Sequence, residues 1–484
     1  MNYKMMGRIF AEILALEAFF MLPPLFISIY DGVDVAAKAF LYTIGILIAV
    51  SAFLWLICRK AKRGFYAQEG IVCVGLGWIF LSLFGALPFF ISGEIPFYID
   101  AFFEMVSGFT TTGASIVPVV EDLSRGILYW RSFSHWIGGM GVLVFLLAIV
   151  PMAGGSHMNL MKAESPGPSV GKLVPKVRQT AKYLYIIYFA LTMIEVIFLL
   201  FGGMNLFEAL TTSFGTAGTG GFAIWNDGFV SVSPYNQWVV TIFMLLFGVN
   251  FGFYFLILTG KLRDALKFEE VRIYFIIVIA AAVFIFINLR HFALYAPAEG
   301  IRQAFFQVAS IITTTGFASA DFNLWPETSR TILVLLMFIG ACAGSTGGGI
   351  KVSRFIIACK SFIKEIISYL HPRSVKKIKI EGKPLEHETL RATNVYFMTY
   401  MVIFAVSVLL VSIENKDLVT NFAAVAATFN NIGPGLSLVG PMANFGHFTD
   451  FTKYILMFDM LAGRLEIFPM MLLFCPAVWK RRRA

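Results

Sequence analysis

The chain has 484 residues, 58% of them hydrophobic and only 14% charged, with a formal net charge of +9 and a mean hydropathy of +0.78. Soluble globular chains carry about 25% charged residues, so a string of soluble domains is excluded and one polytopic membrane domain is indicated. The basic surplus forms no domain of its own that could serve nucleic acid, and Cys58, Cys73, Cys342, Cys359 and Cys475 lack the paired spacing of a disulfide framework or metal cluster.

A bilayer core of about 30 Å takes about 20 apolar residues of helix to cross. The first apolar stretch, near 8–29, is too long for a signal-peptide core and lacks a cleavage site. With the next, 37–58, it makes an N-terminal transmembrane pair. Four more pairs follow, at 68–92 and 127–152, 183–203 and 236–260, 271–288 and 329–369, 395–413 and 453–478. Each of these pairs encloses a segment too short to cross. The expected fold is all-α: two extra N-terminal helices (1–62), then four pseudo-symmetric helix–pore loop–helix units around one pore, at 63–160, 161–264, 265–385 and 386–484.

The enclosed segments repeat. DAFFEMVSGFTTTG (100–113), EALTTSFGTAGTGG (208–221), QAFFQVASIITTTG (303–316) and TNFAAVAATFNNIG (420–433) align without a gap and end on Gly113, Gly221, Gly316 and Gly433. Placing an ion in a low-dielectric interior costs on the order of 20 kcal/mol, and backbone carbonyls can replace its lost water oxygens where irregular strands converge. Glycine allows the backbone angles and the close approach such strands need. The candidate ion-coordinating residues are therefore Thr111, Thr112, Gly113, Gly220, Gly221, Thr314, Thr315, Gly316, Asn431, Ile432 and Gly433. Pore-helix C-termini turned toward the site favour a cation, and Asp100 is placed to cap the first pore helix. A lone TTTG would read as a polar turn; four in one frame, each within a span–insert–span unit, read as a filter.

Lysine and arginine fall on one side of the ten expected spans: Arg59, Lys60, Lys62 and Arg63, then 172–182, 261–267, 373–379 and 480–483. The acids Asp31, Asp34, Glu94, Glu121, Asp122, Asp227 and Asp321 fall on the other. The positive-inside rule then puts both termini in the cytoplasm and all four filters toward the outside.

Three further signals stand out. Gly344, Ser345, Thr346, Gly347, Gly348 and Gly349, followed by Ile350 and Lys351, interrupt an apolar stretch twice as long as one span needs. The run lacks the lysine position and preceding strand of a phosphate loop, so it reads as a helix break, either a simple kink or a mobile gate. Arg464 lies near the middle of the last span, where a charge costs about 2.5–3.5 kcal/mol to insert; it faces a cavity, a buried acid or helix-end carbonyls, and Glu466 points to another face. Glu12, Glu17, Glu195 and Asp459 are expected at interhelical contacts, as are His135 and Trp136 before the glycines of GGMG.

These motifs, together with HWIGGMG (135–141), AGSTGGGIKV (343–352), HPR (371–373), NNIGPG (430–435) and AGRLEIF (462–468), resemble the Trk/Ktr/HKT superfamily of potassium translocating subunits over essentially the whole chain. The extra helix pair resembles the TrkH and TrkG branch more than the shorter KtrB type. The resemblance implies K⁺ (and Rb⁺) uptake across the bacterial inner membrane, K⁺ as the transported ion with no organic cofactor, and a homodimer with one pore per subunit. It also implies an intramembrane gate at 343–350, Arg464 near the pore below the filter, and a cytosolic nucleotide-binding regulatory ring of the TrkA kind. Glycine at all four filter positions matches the potassium-selective members; the second filter, TAGTGGF, departs from the pattern with an extra Gly218. Membrane lipid surrounds such a chain, and no enzyme chemistry is expected of it. Secondary transport through discontinuous helices stays open as the alternative.

Overall fold

The computed structural model describes residues 1–61, 67–141, 177–371 and 377–479. The basic positions expected at 62–63, 172–176, 373–376 and 480–483, and 142–152 of the first unit's second span, lie outside the described residues.

Among the described residues six helices are long and apolar enough to cross a membrane: Tyr3–Tyr30, Asp34–Cys58, Glu69–Ser92, Ala181–Phe201, Glu269–His291 and His387–Glu414. The first two are the N-terminal pair; the other four are the first helix of each unit. Asp34–Cys58 runs 25 residues, about 37 Å of helix, and most of its surface is apolar and exposed, as a helix facing hydrocarbon should be. Prolines set bends in two of the others: the first helix turns at Met21 before Pro23 and Pro24, and the first helix of unit 1 turns at Ala86 before Pro88.

The second helix was expected as one continuous span in units 1, 2 and 4, and the structure corrects this; in unit 3 the expected break at the glycine run is present. In unit 1 it runs Arg125–Gly139 and leaves helical geometry at Gly141, whose φ is 75°. In unit 2, Pro234–Phe247 and Phe251–Leu258 meet at 89°, with the Asn250 side chain accepting from the Gly252 N–H at 2.8 Å to start the second piece. In unit 3, Glu327–Met337 and Val352–Leu370 are separated by the glycine-rich segment. In unit 4, Asp450–Leu465 stops at Glu466, with φ of 67°, before Ile467–Leu473. In units 1, 2 and 4 the overall apolar composition continues while the backbone ladder does not.

Between first and second helices sit the pore helices Tyr98–Phe109, Leu206–Gly218, Pro297–Ile312 and Leu418–Phe429. The shortest have 12 residues, about 18 Å, which is a little over half the hydrocarbon thickness. Asn205 and Asp417 cap the second and fourth with their side chains, and Pro297 opens the third. The first is not capped by Asp100. Its N-cap is Phe97, and Asp100, inside the first turn, pairs instead with Lys453 of unit 4. The two residues are far apart in sequence, so no local pattern could show that partnership. A two-stranded hairpin, Lys379–Ile380 with Lys383–Pro384, is the one described strand element in an otherwise helical fold.

Candidate functional site: a four-part glycine ring

Each pore helix ends in the same backbone figure. Thr111, Thr219, Thr314 and Asn431 all take left-handed geometry, with φ of 55°, 55°, 59° and 54°. Two residues later Gly113, Gly221, Gly316 and Gly433 have φ of 79°, 78°, 84° and 92°. Left-handed geometry is unusual for a β-branched residue, so three threonines held in it mark a backbone fixed by its surroundings. Thr219, which is not among the candidate coordinating residues named above although it belongs to the same TGG segment, shares this figure with the other three. Gly218 is not an extra filter residue. It ends its pore helix against Gly139 and His135, where a Cβ would strike the His135 backbone.

The four glycines close a ring. A Cβ on Gly113 would fall on the Gly220 carbonyl oxygen, one on Gly221 on that of Thr315, and one on Gly316 on that of Ile432. One on Gly433 would lie 2.8 Å from the Thr112 oxygen, which returns to unit 1. Each glycine thus abuts the carbonyl that precedes the glycine of the next unit, in the order 1, 2, 3, 4. Side chains brace the ring from outside: Thr110 with Thr112 and Thr313 with Thr315, each hydroxyl pair at 2.8 Å, and Asn431 Nδ2 donating to Thr112 Oγ1 at 2.9 Å and to the Met460 carbonyl at 2.8 Å. On one side of the ring a cavity of ≈ 320 Å³ opens, lined by all four glycines together with Arg131.

His135 and Trp136 do lie at interfaces, but His135 does more than pack. It is fully buried behind the second filter. Its Nδ1 lies 2.7 Å from the Gly108 carbonyl, and the Phe222 N–H donates to its Nε2 at 3.2 Å. The neutral ring therefore links the first pore helix to the strand leaving filter 2, with Nδ1 carrying the proton as assigned from these partners. Trp136 stacks on Tyr188 with ring centroids 5.4 Å apart.

On the side of the ring away from the cavity lies the unit 3 break, which spans 338–351 and so exceeds the expected 343–350. The Gly348 N–H donates to Thr314 Oγ1 at 2.7 Å. A Cβ on Gly347 would lie 3.0 Å from the Thr313 oxygen and one on Gly348 would meet Asn431. Gly344 and Gly349 take φ of 70°, and Lys351, buried, donates back to the Gly347 carbonyl. Ser345 Oγ closes a turn on the Cys342 carbonyl at 2.6 Å. Glu270 on the first helix of unit 3, unmarked in the sequence reading, holds both ends of this segment. It accepts from the Ala343 N–H at 2.7 Å and the Ser353 N–H at 3.0 Å.

Arg464 meets helix-end carbonyls. It donates to Thr346 at 2.6 Å in the break and to Gly138 at 2.7 Å and Gly139 at 2.8 Å at the end of the unit 1 second helix. Glu466 indeed faces elsewhere and pairs with Arg354. The Cys342 N–H donates to Gly248 and the Phe251 N–H to Gly344, each at 3.0 Å. All four helix breaks are thereby joined in one hydrogen-bonded girdle directly beneath the ring. Of the intramembrane acids, Asp459 accepts from Ser407 of the neighbouring helix at 2.7 Å and Glu195 faces Thr216 of a pore helix. Glu12 differs from expectation: it pairs with Arg8 one turn away on its own helix at 3.2 Å, the i,i+4 geometry of a surface pair.

Four re-entrant pore helices converging on a glycine–carbonyl ring have counterparts among known proteins. The family model TrkH, cation transport protein, matches residues 36–481. The chain belongs to the TrkH family. It is 37% identical over 491 aligned positions to the Trk system potassium uptake protein TrkH of Escherichia coli (strain K12), covering 99% of this chain and all of that one. It is 31% identical to the Trk system potassium uptake protein TrkG of the same organism, over 95% of each. Its fold matches the crystal structure of the potassium transporter TrkH from Vibrio parahaemolyticus with a TM-score of 0.89 and 33% identity, over 99% of this chain and 100% of that one. TrkH-family chains are transport proteins, not enzymes, and the pseudo-symmetric four-unit architecture is theirs.

Proposed function

We propose that this chain conducts K⁺ into a bacterial cell through the glycine ring, as the membrane subunit of a Trk-type potassium uptake system. The closed succession of glycine against carbonyl around four units is the observation that carries the reading. It leaves carbonyls of residues 111–113, 219–221, 314–316 and 431–433 as the oxygen ligands available to a desolvated cation. The pore-helix C-termini add a negative potential at that point. The names of the relatives support K⁺ as the transported ion.

The break at 338–351 is the gate in this reading. It lies under filters 3 and 4, and Arg464 both pins it and presents a positive charge next to the ion path. One charge near an ion at low effective dielectric imposes a barrier of several kcal/mol, roughly 4 at a separation of 4 Å. The inner-membrane location, cytoplasmic termini, homodimer and a cytosolic nucleotide-binding regulator complete the proposal. The basic loops are its docking face, attracting an acidic surface.

Flux of K⁺, Rb⁺, Na⁺ and Li⁺ into proteoliposomes under a membrane potential tests it. Preference for K⁺ and Rb⁺ is expected. Equal passage of all four, or none, overturns it. The interrupted second helices also suit coupled transport, and flux that needs a proton gradient in addition to the potential would favour that reading. For the regulator, flux measured with the host's soluble nucleotide-binding partner should respond to ATP, ADP, NAD⁺ or NADH. Indifference to all four, with no co-purification, removes the partner from the proposal.

A further inference from the structure

The ring is not braced equally on all sides. Nine residues before each filter glycine, the four pore helices carry Glu104, Thr212, Gln307 and Ala424. Glu104 is fully buried. One of its oxygens accepts from the Ile116 N–H at 2.9 Å, and the other accepts from Ser115 Oγ at 3.0 Å and Arg131 Nε at 2.6 Å. Ser115 and Ile116 belong to the strand that leaves filter 1. Arg131, on the second helix of unit 1, also donates from its Nη1 to the Ala223 carbonyl at 2.8 Å, and its guanidinium lies 3.7 Å from the Phe222 ring centroid. Ala223 and Phe222 belong to the strand that leaves filter 2.

Unit 3 repeats only half of this arrangement. With the Gln307 amide oriented to suit its neighbours, its oxygen accepts from the Ser319 N–H at 2.9 Å. Ser319 stands three residues after Gly316, as Ile116 stands three after Gly113. A neutral amide at this position holds its own strand and goes no further. The carboxylate of Glu104 additionally fixes a guanidinium, and the planar fork of that guanidinium reaches across to the next filter. Thr212 and Ala424 are too short for either task.

Resting on the reading of the four loops as an ion filter, we propose that Glu104 and Arg131 are selectivity-positioning residues, a strut that fixes the outer end of filter 1 to the outer end of filter 2. The strut holds Gly113 and Gly221 at a set separation across the boundary between those units. Arg131 also lines the outer cavity, and its pairing with Glu104 keeps an uncompensated positive charge away from an entering cation. Both charges are desolvated, so removing one alone leaves the other buried and unpaired. Informative variants therefore keep the balance of charge.

Arg131→Lys keeps the charge and its pairing with Glu104, but a single ammonium does not reproduce the fork that spans Glu104 and Ala223. The double variant Glu104→Gln/Arg131→Gln is neutral and loses the bridge. Two readouts on purified full-length protein apply: the K⁺/Na⁺ flux ratio in proteoliposomes, and the difference in thermal midpoint between K⁺ and Na⁺ buffers in detergent, which needs only folded protein. In both variants the K⁺/Na⁺ ratio should fall at least threefold and the K⁺-specific thermal shift should shrink. A merely structural strut would lower flux of both ions in proportion and lower the midpoint equally in both salts. That outcome overturns the proposal, as does a wild-type ratio with a wild-type thermal shift. If the unaltered protein itself shows no K⁺ preference, the filter reading fails and not the strut.

Discussion

Alanine substitution of the four ring glycines should harm selectivity in a graded order that the geometry sets. All four glycines have strongly positive φ, and a Cβ in left-handed geometry costs about 1–2 kcal/mol per residue. That term is common to the set. The steric term is not. At Gly113, Gly221 and Gly316 the new methyl would land on a neighbouring carbonyl oxygen, so the carbonyl has to move or rotate away from the axis. At Gly433 the nearest oxygens stand at 2.8 and 3.0 Å, so the backbone there must still shift, but by less than at the other three. A loss of about 1.4 kcal/mol in the preference for K⁺ over Na⁺ is a tenfold fall in their ratio, and a carbonyl turned out of the ring should lose at least that. Gly113→Ala, Gly221→Ala and Gly316→Ala should each drop the K⁺/Na⁺ flux ratio tenfold or more. Gly433→Ala should drop it by roughly two- to threefold, about 0.4–0.7 kcal/mol on the same scale. Side-by-side ion flux in proteoliposomes made from monodisperse protein reads the order. If Gly433→Ala is the most damaging, or the other three keep the unaltered ratio, the ring does not act as described.

Arg464→Ala removes three donor contacts from the unit 3 break and the end of the unit 1 helix, and should raise K⁺ flux severalfold with the K⁺/Na⁺ ratio unchanged; folded protein with equal or lower flux refutes its part in the gate. His135→Ala strands the buried Phe222 N–H and takes one of two donors from the Gly108 carbonyl, which keeps the Thr111 N–H; the unmet group costs about 1–3 kcal/mol, and a thermal midpoint within a degree of the unaltered protein would sink the bracing role. Asp417 caps the fourth pore helix by accepting from Thr420 Oγ1 at 2.5 Å and the Thr420 N–H at 2.9 Å, and these bonds hold its carboxyl below the ordinary aspartate pKa. A lowered folded-state pKa makes its contribution present above the unfolded pKa and lost as pH falls through the folded one. Asp417→Ala should therefore cost about 1 kcal/mol at neutral pH and progressively less below pH ~4, checked by thermal unfolding against pH.

The ring was legible because it rests on glycine, whose placement in one frame survives in four otherwise different segments. Arg464 was legible because a charge in an apolar run is conspicuous. What stayed hidden has a common physical character. Glu104 with Arg131, Asp100 with Lys453, and Glu270 with the two ends of the unit 3 break are pairings between elements remote in sequence, and each acid alone resembles any other polar residue on a helix. The interruptions of the second helices in units 1, 2 and 4 were hidden differently. Hydropathy reports what side chains prefer, and a single Asn250 or Glu466 within an apolar run reads as one polar side chain on a continuous helix, not as the end of one. These breaks show only in the backbone, as positive φ at Gly141 and Glu466 and as the 89° bend between Pro234–Phe247 and Phe251–Leu258.

The girdle beneath the ring bears on how many ways the proposed gate could open. Gly138 and Gly139 of unit 1, Gly248 and Phe251 of unit 2, Gly344 and Thr346 of unit 3 and Arg464 of unit 4 are links of a single hydrogen-bonded chain. Displacing one link strains its neighbours, so partial yielding leaves buried polar groups unmet on both sides. Such a linkage favours two end states over a continuum between them. A current recorded from one pore should accordingly jump between discrete levels instead of drifting through graded ones.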